Sequence, residues 1–223
     1  MKVLSKILMA CLVLTLVFAC KNQPEGEAAK VGDAADNVAT SSSSAKTYTV
    51  DNGTIYWTGT KVGGQHSGTV MVSRGMLDVE NGNISSGKFG INMNSIKTTD
   101  DMGEEMIGKL EGHLKSDDFF GAAAHPEGMF EIVSVTPATG TEGVTHNITG
   151  NLTMKGITKS ITIPANVIIT DEMISATTPK FTINRTDWDV KYGSGILGTA
   201  ADKIIHDEVS LNLELKAAAS KEG

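Results

Sequence analysis

The sequence predicts an all-β domain with one short helical segment, and three patterns indicate it. Several stretches alternate apolar and polar residues with a period of two, which is typical of strands with one buried face. Two pairs, Asn52-Gly53 and Asn81-Gly82, are typical of the tight turns that join antiparallel strands. One stretch, residues 100–114, has helical spacing instead. Many one-sided strands with a single helix favour a barrel or a sandwich with meander order.

The alternation is clearest near the end of the chain, where Val209, Leu211 and Leu213 are separated by polar residues. The same period marks the other predicted strands. The predicted strands are residues 54–60, 68–73, 88–93, 129–135, 147–154, 160–169, 173–178, 181–184 and 209–216.

The predicted helix carries an apolar stripe, because Met102, Met106, Leu110 and Leu114 recur four residues apart. Acidic residues at positions 100 and 101 stand at its expected start, where they favour the positive end of the helix dipole. Such a stripe is typical of a helix packed on a core. The alternative is a lid at a barrel mouth, where methionine side chains adapt to a lipid.

The first residues are typical of a lipoprotein signal peptide. An apolar run over residues 7–19 follows Lys2 and Lys6, and it is too short to cross a bilayer as a helix. The run ends at Ala19-Cys20, which indicates cleavage before Cys20 and acylation of its thiol. The alternative is an ordinary signal peptide with an incidental cysteine. We therefore expect residues 1–19 to be removed and the protein to be anchored in the cell envelope, on a periplasmic or outer-membrane face.

Composition divides the rest of the chain. Residues 20–45 are predicted to be an acylated cysteine and a disordered tether, because they are rich in Ala, Gly and Ser and lack aromatic residues. Residues 46–216 form the predicted barrel domain, and residues 217–223 a frayed tail. Without Cys11 and Cys20 the domain has no thiol, so its core alone must hold it.

Charge and motifs exclude several classes of function. Removing Lys2 and Lys6 leaves 17 basic and 26 acidic side chains, a net charge of −9, which disfavours nucleic acid as a partner. The five histidines form no metal-binding motif, and no nucleotide-binding or nucleophile motif is present. We therefore predict no metal, no cofactor and no catalytic residue. A homodimer remains open.

Three motifs point to a family. They are residues 112–120 (GHLKSDDFF) followed by His125-Pro126, residues 150–159 (GNLTMKGITK), and residues 181–188 (FTINRTDW). In this order they resemble the YceI-like family, also described as polyisoprenoid-binding periplasmic proteins, over about residues 47–215. The resemblance implies an extended, antiparallel, lipocalin-like β-barrel with an apolar tunnel that holds a long isoprenoid or a similar amphiphile. Departures at residues 121–124, Asn92 and Asp189 concern ligand identity more than fold.

The motifs supply two polar candidates for the ligand site. Arg185 carries a guanidinium whose paired N–H donors match the geometry of a carboxylate or pyrophosphate. Its alternative role is an ion pair with Asp187 or Asp118. His113 is a candidate contact for a ligand head group, and its alternative role is to hold the end of the helix by hydrogen bonds.

Four aromatic residues complete the candidate site. Phe119 and Trp188 belong to the motifs, where such residues are more often core than ligand contacts. Trp57 and Phe89 lie on predicted strands whose apolar face turns inward, so they are candidates for the tunnel wall.

The sequence favours a lipid-anchored binding protein for an isoprenoid, quinone or fatty-acid-like molecule, in transport, storage or sequestration. Burying a hydrocarbon chain needs no catalytic group, at about 0.8 kcal/mol per CH₂. Two alternatives remain: a structural or interaction lipoprotein with a filled barrel, and an enzyme acting on a lipid.

Overall fold

The computed structural model describes residues 24–140 and 142–220, which form an antiparallel β-barrel with a single short α-helix. The predicted fold class is confirmed. The signal peptide and Cys20 lie outside the described residues. In chain order the elements are β1 (Glu27–Ala28), β2 (Lys30–Asp33), β3 (Lys46–Lys61), β4 (Gly64–Glu80), β5 (Asn83–Thr98), α1 (Glu104–Lys115), β6 (Glu127–Pro137), β7 (His146–Met154), β8 (Ile157–Ile169), β9 (Met173–Thr177), β10 (Phe181–Asn184) and β11 (Ile205–Ala219).

Eight strands close the barrel. Strands β3 to β8 are antiparallel neighbours in chain order, β9 pairs with β8 and β11, and β11 returns to β3. The short β10 pairs with β11 beyond the end of β9. The predicted turn at Asn81-Gly82 joins β4 to β5 with φ values of 51° and 77°, which a tight hairpin turn requires.

The turn predicted at Asn52-Gly53 is wrong, because both residues lie inside β3. The pairing of β3 with β11 shifts beside them, between Lys216 and Ala217. A Cβ atom on Gly53 would lie 2.7 Å from the Cβ atom of Val72 on β4. The glycine therefore allows two strands to approach closely at an irregularity, rather than reversing the chain.

The barrel has two different ends. The helix end carries α1, the β3–β4 and β7–β8 connections and the start of β11, whereas the far end carries the β4–β5 turn. At the far end Tyr48, Ile174 and Ala217 are almost fully buried. Strand β11 continues to Ala219, and Ser220 donates its N–H to the carbonyl of Thr47. The predicted frayed tail is therefore wrong for residues 217–220.

The helix begins later than predicted, at Glu104. Asp100 instead follows the end of β5 and contacts the start of β4, where its carboxylate accepts the N–H of Ser67 at 3.0 Å and lies 2.6 Å from His66 Nδ1. The residues of the predicted apolar stripe also differ in their exposure. Met106 is 55% exposed, whereas Leu110 and Leu114 turn toward the barrel interior.

Glu111 attaches α1 to the barrel. Its carboxylate accepts the N–H of Thr98 and the ammonium of Lys97, both at 3.1 Å. Burial raises the pKa of Glu111, but the hydrogen bond from Thr98 and the charges of Lys97 and Lys115 outweigh burial and lower it overall.

Residues 24–45, here called the strap, lie along the outside of the barrel. Strand β1 pairs in parallel with β10, and β2 pairs with β8. Ala35 exchanges two hydrogen bonds of 2.9 Å with the side chain of Asn151, and Ala39 donates to the carbonyl of Ile132. The predicted disordered tether is therefore wrong for residues 24–45. Composition alone suggested disorder, but backbone pairing with the barrel orders these residues.

We expect Glu111→Gln to lower the free energy of unfolding by about 1.5 kcal/mol at neutral pH, because charged hydrogen bonds to Thr98 and Lys97 are lost. A lowered pKa in the folded state stabilises the protein above the ordinary pKa of glutamate. That stabilisation is lost as the pH falls through the lowered value. In urea unfolding, the difference between wild type and variant should therefore shrink below about pH 4.

The matched control is Glu105→Gln, which removes an exposed ion pair with Lys109 on the same helix. It should change stability by less than about 0.5 kcal/mol. A Glu111→Gln difference that stayed constant with pH would contradict a role for the charge of Glu111.

Candidate functional site

A cavity of about 280 Å³ lies inside the barrel. On β4 its lining residues run from His66 near the helix end to Leu77. The strand from His66 to Leu77 is about 36 Å long, which corresponds to roughly 28 Å along the barrel axis at a typical strand tilt. Toward the far end Ala176 and Leu215 also line it. The cavity is therefore long enough to hold an extended chain molecule.

The cavity wall is apolar because of the period-two pattern of the strands. On β7, Ile148, Leu152 and Met154 line the cavity, and on β11 Leu211 and Leu213 do so. The polar residues between them point away from it, since successive side chains of a strand face opposite sides. The alternation recognised in the sequence therefore defines the inner surface.

Polar residues line the cavity only toward the helix end, in the part of the chain that the structure describes, and several of their polar atoms have protein partners. Thr60 Oγ1 lies 2.8 Å from His206 Nδ1, and His66 is paired with Asp100. Lys61 adds a charge at the same end. The surface that the cavity wall presents to a ligand is therefore almost entirely hydrocarbon.

Arg185 belongs to this group and is 3% exposed. Its guanidinium donates to the carbonyls of Val190 at 2.6 Å, His206 at 3.1 Å and Ile205 at 3.1 Å. It also donates to the carboxylate of Asp207 at 3.1 Å. Burial lowers the pKa of Arg185, although the carboxylate of Asp207 opposes that effect. Arg185 thus ties the turn after β10 to the start of β11.

The ion-pair partner of Arg185 differs from both sequence alternatives. Asp207 takes this place, rather than Asp187 or Asp118. The second carboxylate oxygen of Asp207 accepts the hydroxyl of Ser194 at 2.9 Å, so Asp207 is shared between two loops.

His113 lies outside the cavity wall, at the end of α1. Its Nε2 atom lies 3.1 Å from a carboxylate oxygen of Asp118. Its ring packs edge-on against Phe119 and Tyr192, with centroids 5.0 and 4.6 Å away. These contacts match the alternative in which His113 holds the end of the helix.

The aromatic candidates divide between wall and core. Phe119 is buried and lines the cavity. Trp188 is fully buried but does not line it, and its indole N–H donates to the carbonyl of Leu152 at 2.9 Å. Since Leu152 is itself a wall residue, Trp188 supports the wall from behind.

Trp57 and Phe89 both line the cavity, as their strand positions suggested. The indole of Trp57 lies against Gly68, where an added Cβ would be 2.5 Å from the ring. Its buried N–H has no hydrogen-bond acceptor among the described residues. The ring of Phe89 lies 6.3 Å from that of Phe130, also a wall residue. The structure therefore brings Trp57, Phe89, Phe119 and Arg185 to one cavity.

Two further features concern the part of the chain that the structure describes. Its acidic and histidine side chains form no cluster suited to a metal ion. Within residues 24–140 and 142–220, no helix combines the length and apolar character needed to cross a bilayer.

Comparison with known families matches residues 38–217 to the YceI-like domain. The chain belongs to the YceI-like family. Its curated relatives include a UPF0312 protein of Pseudomonas aeruginosa, 34% identical over 92 residues, which are 41% of this chain and 42% of that protein. A UPF0312 protein of Azotobacter vinelandii is 43% identical over 56 residues, or 25% of this chain and 28% of the relative. The matched segments thus span less than half of these relatives.

Two solved structures share the YceI-like fold. Burkholderia cenocepacia BcnA aligns with a TM-score of 0.56 at 21% identity, over 74% of this chain and 96% of its own. A polyisoprenoid binding domain from Saccharophagus degradans, implicated in plant cell wall breakdown, aligns with a TM-score of 0.55 at 15% identity. That alignment covers 78% of this chain and 98% of the other.

Sequence reasoning missed three residues of this YceI-like site. Asp207 completes the buried ion pair, Asn151 holds the strap, and Gly59 lines the cavity with open space beside it. Asn151 stands at an outward position in the second motif, yet it is 6% exposed because the strap covers it. The only signal for it was its place in the motif.

We expect Arg185→Ala to lower the free energy of unfolding by about 3–5 kcal/mol, because it breaks an ion pair whose guanidinium is buried and leaves the partly buried carboxylate of Asp207 without its cation. Urea unfolding measures this loss. If the role is structural, binding of a prenyl phosphate and of a prenyl alcohol should weaken equally.

The matched control is Lys191→Ala, which removes an exposed ion pair with Asp189 and should cost less than about 1 kcal/mol. Unchanged stability with a selective loss of prenyl phosphate would instead assign Arg185 to head-group recognition.

Proposed function

We propose that this chain binds a long apolar amphiphile, such as an isoprenoid, a quinone or a fatty-acid-like molecule, inside its barrel. The observation that carries this proposal is the cavity of about 280 Å³ with its hydrocarbon wall. Each buried CH₂ group of a ligand contributes about 0.8 kcal/mol. Many such groups in a row give substantial affinity without any polar contact.

The same wall indicates which part of the ligand is recognised. Thr60 Oγ1, His66 Nδ1 and the guanidinium of Arg185 are already paired within the protein. We therefore propose that the barrel selects the length and shape of an apolar tail, and that the head group stays near the helix end. The fold shared with a polyisoprenoid binding domain supports the choice of ligand class.

A filled barrel is the rival function, and the space beside Gly59 argues against it. Gly59 lines the cavity, and a Cβ atom added there would have no neighbour within 4 Å. We propose a carrier rather than an enzyme, since holding a hydrocarbon chain requires no reacting group. Its role would be transport, storage or sequestration.

We further propose that Cys20 is acylated and that the protein is a lipoprotein of the cell envelope. Glu25, which is already bound to the barrel, lies only five positions after Cys20. An extended stretch of that length spans at most about 18 Å. The anchor would thus hold the barrel close to the membrane from which an apolar ligand comes.

The cavity test is Gly59→Phe, which places a ring in the open space. Displacing two or three methylene groups should cost about 2 kcal/mol, or roughly thirtyfold in Kd, for a long-chain prenol. Fluorescence titration with a pyrene-labelled prenol measures this change. Gly108→Phe is the control, since Gly108 is exposed on α1 with equally open surroundings. Equal affinity of Gly59→Phe and wild type would refute binding in this cavity.

The anchor test is Cys20→Ala, which removes the proposed acylation site. We expect the variant to leave the membrane fraction or to remain unprocessed, whereas Cys11→Ala should fractionate like wild type because that residue is removed with the signal peptide. Metabolic labelling with palmitate, followed by fractionation, measures both. A processed Cys20→Ala protein that stays with membranes would contradict lipid anchoring.

A further inference from the structure

The strap closes a gap in the barrel wall. Strand β10 pairs with β11 on one edge, and its other edge pairs with β1 rather than with β8. The facing part of β8, from Lys159 to Thr162, pairs with β2. In the described residues no ladder joins β8 to β10 directly. The wall between them, here called the seam, is therefore built from residues 26–33 of the strap.

The cavity lies directly behind the seam. Ile161 on β8 and both Phe181 and Ile183 on β10 line the cavity. Between β1 and β2, Ala29 donates its N–H to the carbonyl of Thr182 at 2.8 Å and packs against the core. Displacing the strap would therefore leave β8 and β10, two cavity-lining strands, without a backbone partner between them.

Packed side chains cover the far end of the cavity, and α1 lies over part of the helix end. At the far end Tyr48, Ile174 and Ala217 are almost fully buried. At the helix end Leu110 and Leu114 of α1 lie over the interior. Entry through the far end would therefore require packed core groups to move, whereas entry at the helix end would pass beside α1, Lys61 and His66.

The attachment of the strap is weaker than the rest of the sheet. Strands β1 and β2 have two and four residues, and every residue in them is exposed. The ion pair of Asp33 with Lys159 leaves the carboxylate 99% exposed, so it contributes little. Short, exposed ladders of this kind open locally at low free-energy cost. Two hydrogen bonds between Ala35 and Asn151 attach the strap just after β2, and the ion pair of Glu25 with Lys180 attaches it just before β1.

We propose that residues 26–35 form a lateral gate through which an apolar chain passes sideways into the barrel, between β8 and β10. This inference rests on the proposed function. The gate lies outside the region that matches the family, since that match begins at residue 38. Detachment of the strap admits or releases the chain, and re-pairing of the strap retains it.

The first experiment locks the gate. Gly32 and Ser160 are directly opposed on β2 and β8, and a Cβ on Gly32 meets nothing within 4 Å. Opposed antiparallel residues have Cα distances that suit a disulfide. Gly32→Cys with Ser160→Cys is made in the full chain, in detergent, with Cys11→Ala and Cys20→Ala so that no other thiol remains. Stopped-flow fluorescence follows exchange of a pyrene-labelled prenol with phosphatidylcholine micelles.

Oxidation should slow this exchange at least about tenfold, reduction should restore it, and Kd should change little. Equal exchange rates in the oxidised and reduced proteins would overturn the gate and point to access at the helix end. Failure of every variant and of wild type to bind the prenol would instead overturn the proposed function, and the gate with it.

The second experiment loosens the gate. Asn151→Ala removes both hydrogen bonds to Ala35 and should speed prenol exchange about tenfold, in loading and in release alike. Asn147→Ala is the matched control, because Asn147 lies on the same face of β7. Hydrogen exchange of the amides of residues 29–33 reports strap opening without a ligand. Faster amide exchange with unchanged prenol exchange would show that opening of the strap does not control passage of the prenol, and would contradict the gate.

Discussion

Backbone pairing around a closed ring is the constraint on which the rest of this structure depends. Strand β11 pairs with β3 along one edge and with β9 and β10 along the other. An open edge would leave a row of unpaired N–H and C=O groups. Closure also fixes which side of every strand faces inward. An eight-stranded ring is just wide enough either to be filled by side chains or to hold one small ligand. Here the inward residues are mostly aliphatic, and they leave space.

The ring of barrel strands is incomplete between β8 and β10, and the strap, which is distant from both in sequence, fills this gap. Where β10 diverges from β8, the strap supplies backbone partners to both strands. The same physical requirement that closes the ring therefore orders a segment whose composition is typical of disorder. This segment also connects the barrel to the proposed anchor. Residues 26–35 therefore complete the barrel wall, connect the barrel to the proposed anchor and form the proposed gate to the cavity.

Polar chemistry in this protein serves the fold rather than the ligand. Arg185 and Asp207 connect the loops at the helix end, and Glu111 attaches α1 to β5. A guanidinium whose donors reach three carbonyls and a carboxylate has little capacity left for a ligand. What remains inside is a hydrocarbon surface, which favours recognition by shape and length.

Period-two and helical spacing predicted strands β3 to β11, although not their full lengths, and the single helix, because such spacing is a local property of a chain. The sequence also suggested Trp57 and Phe89 for the cavity wall, which both residues line. It could not assign Asn52-Gly53 to a strand, order residues 24–45, or pair Arg185 with Asp207. Each of these depends on a partner distant in sequence: Val72 beside Gly53, β8 and β10 beside the strap, and the start of β11 beside Arg185. These features became apparent in the folded structure alone, because contacts between remote segments leave no periodic signal in either segment.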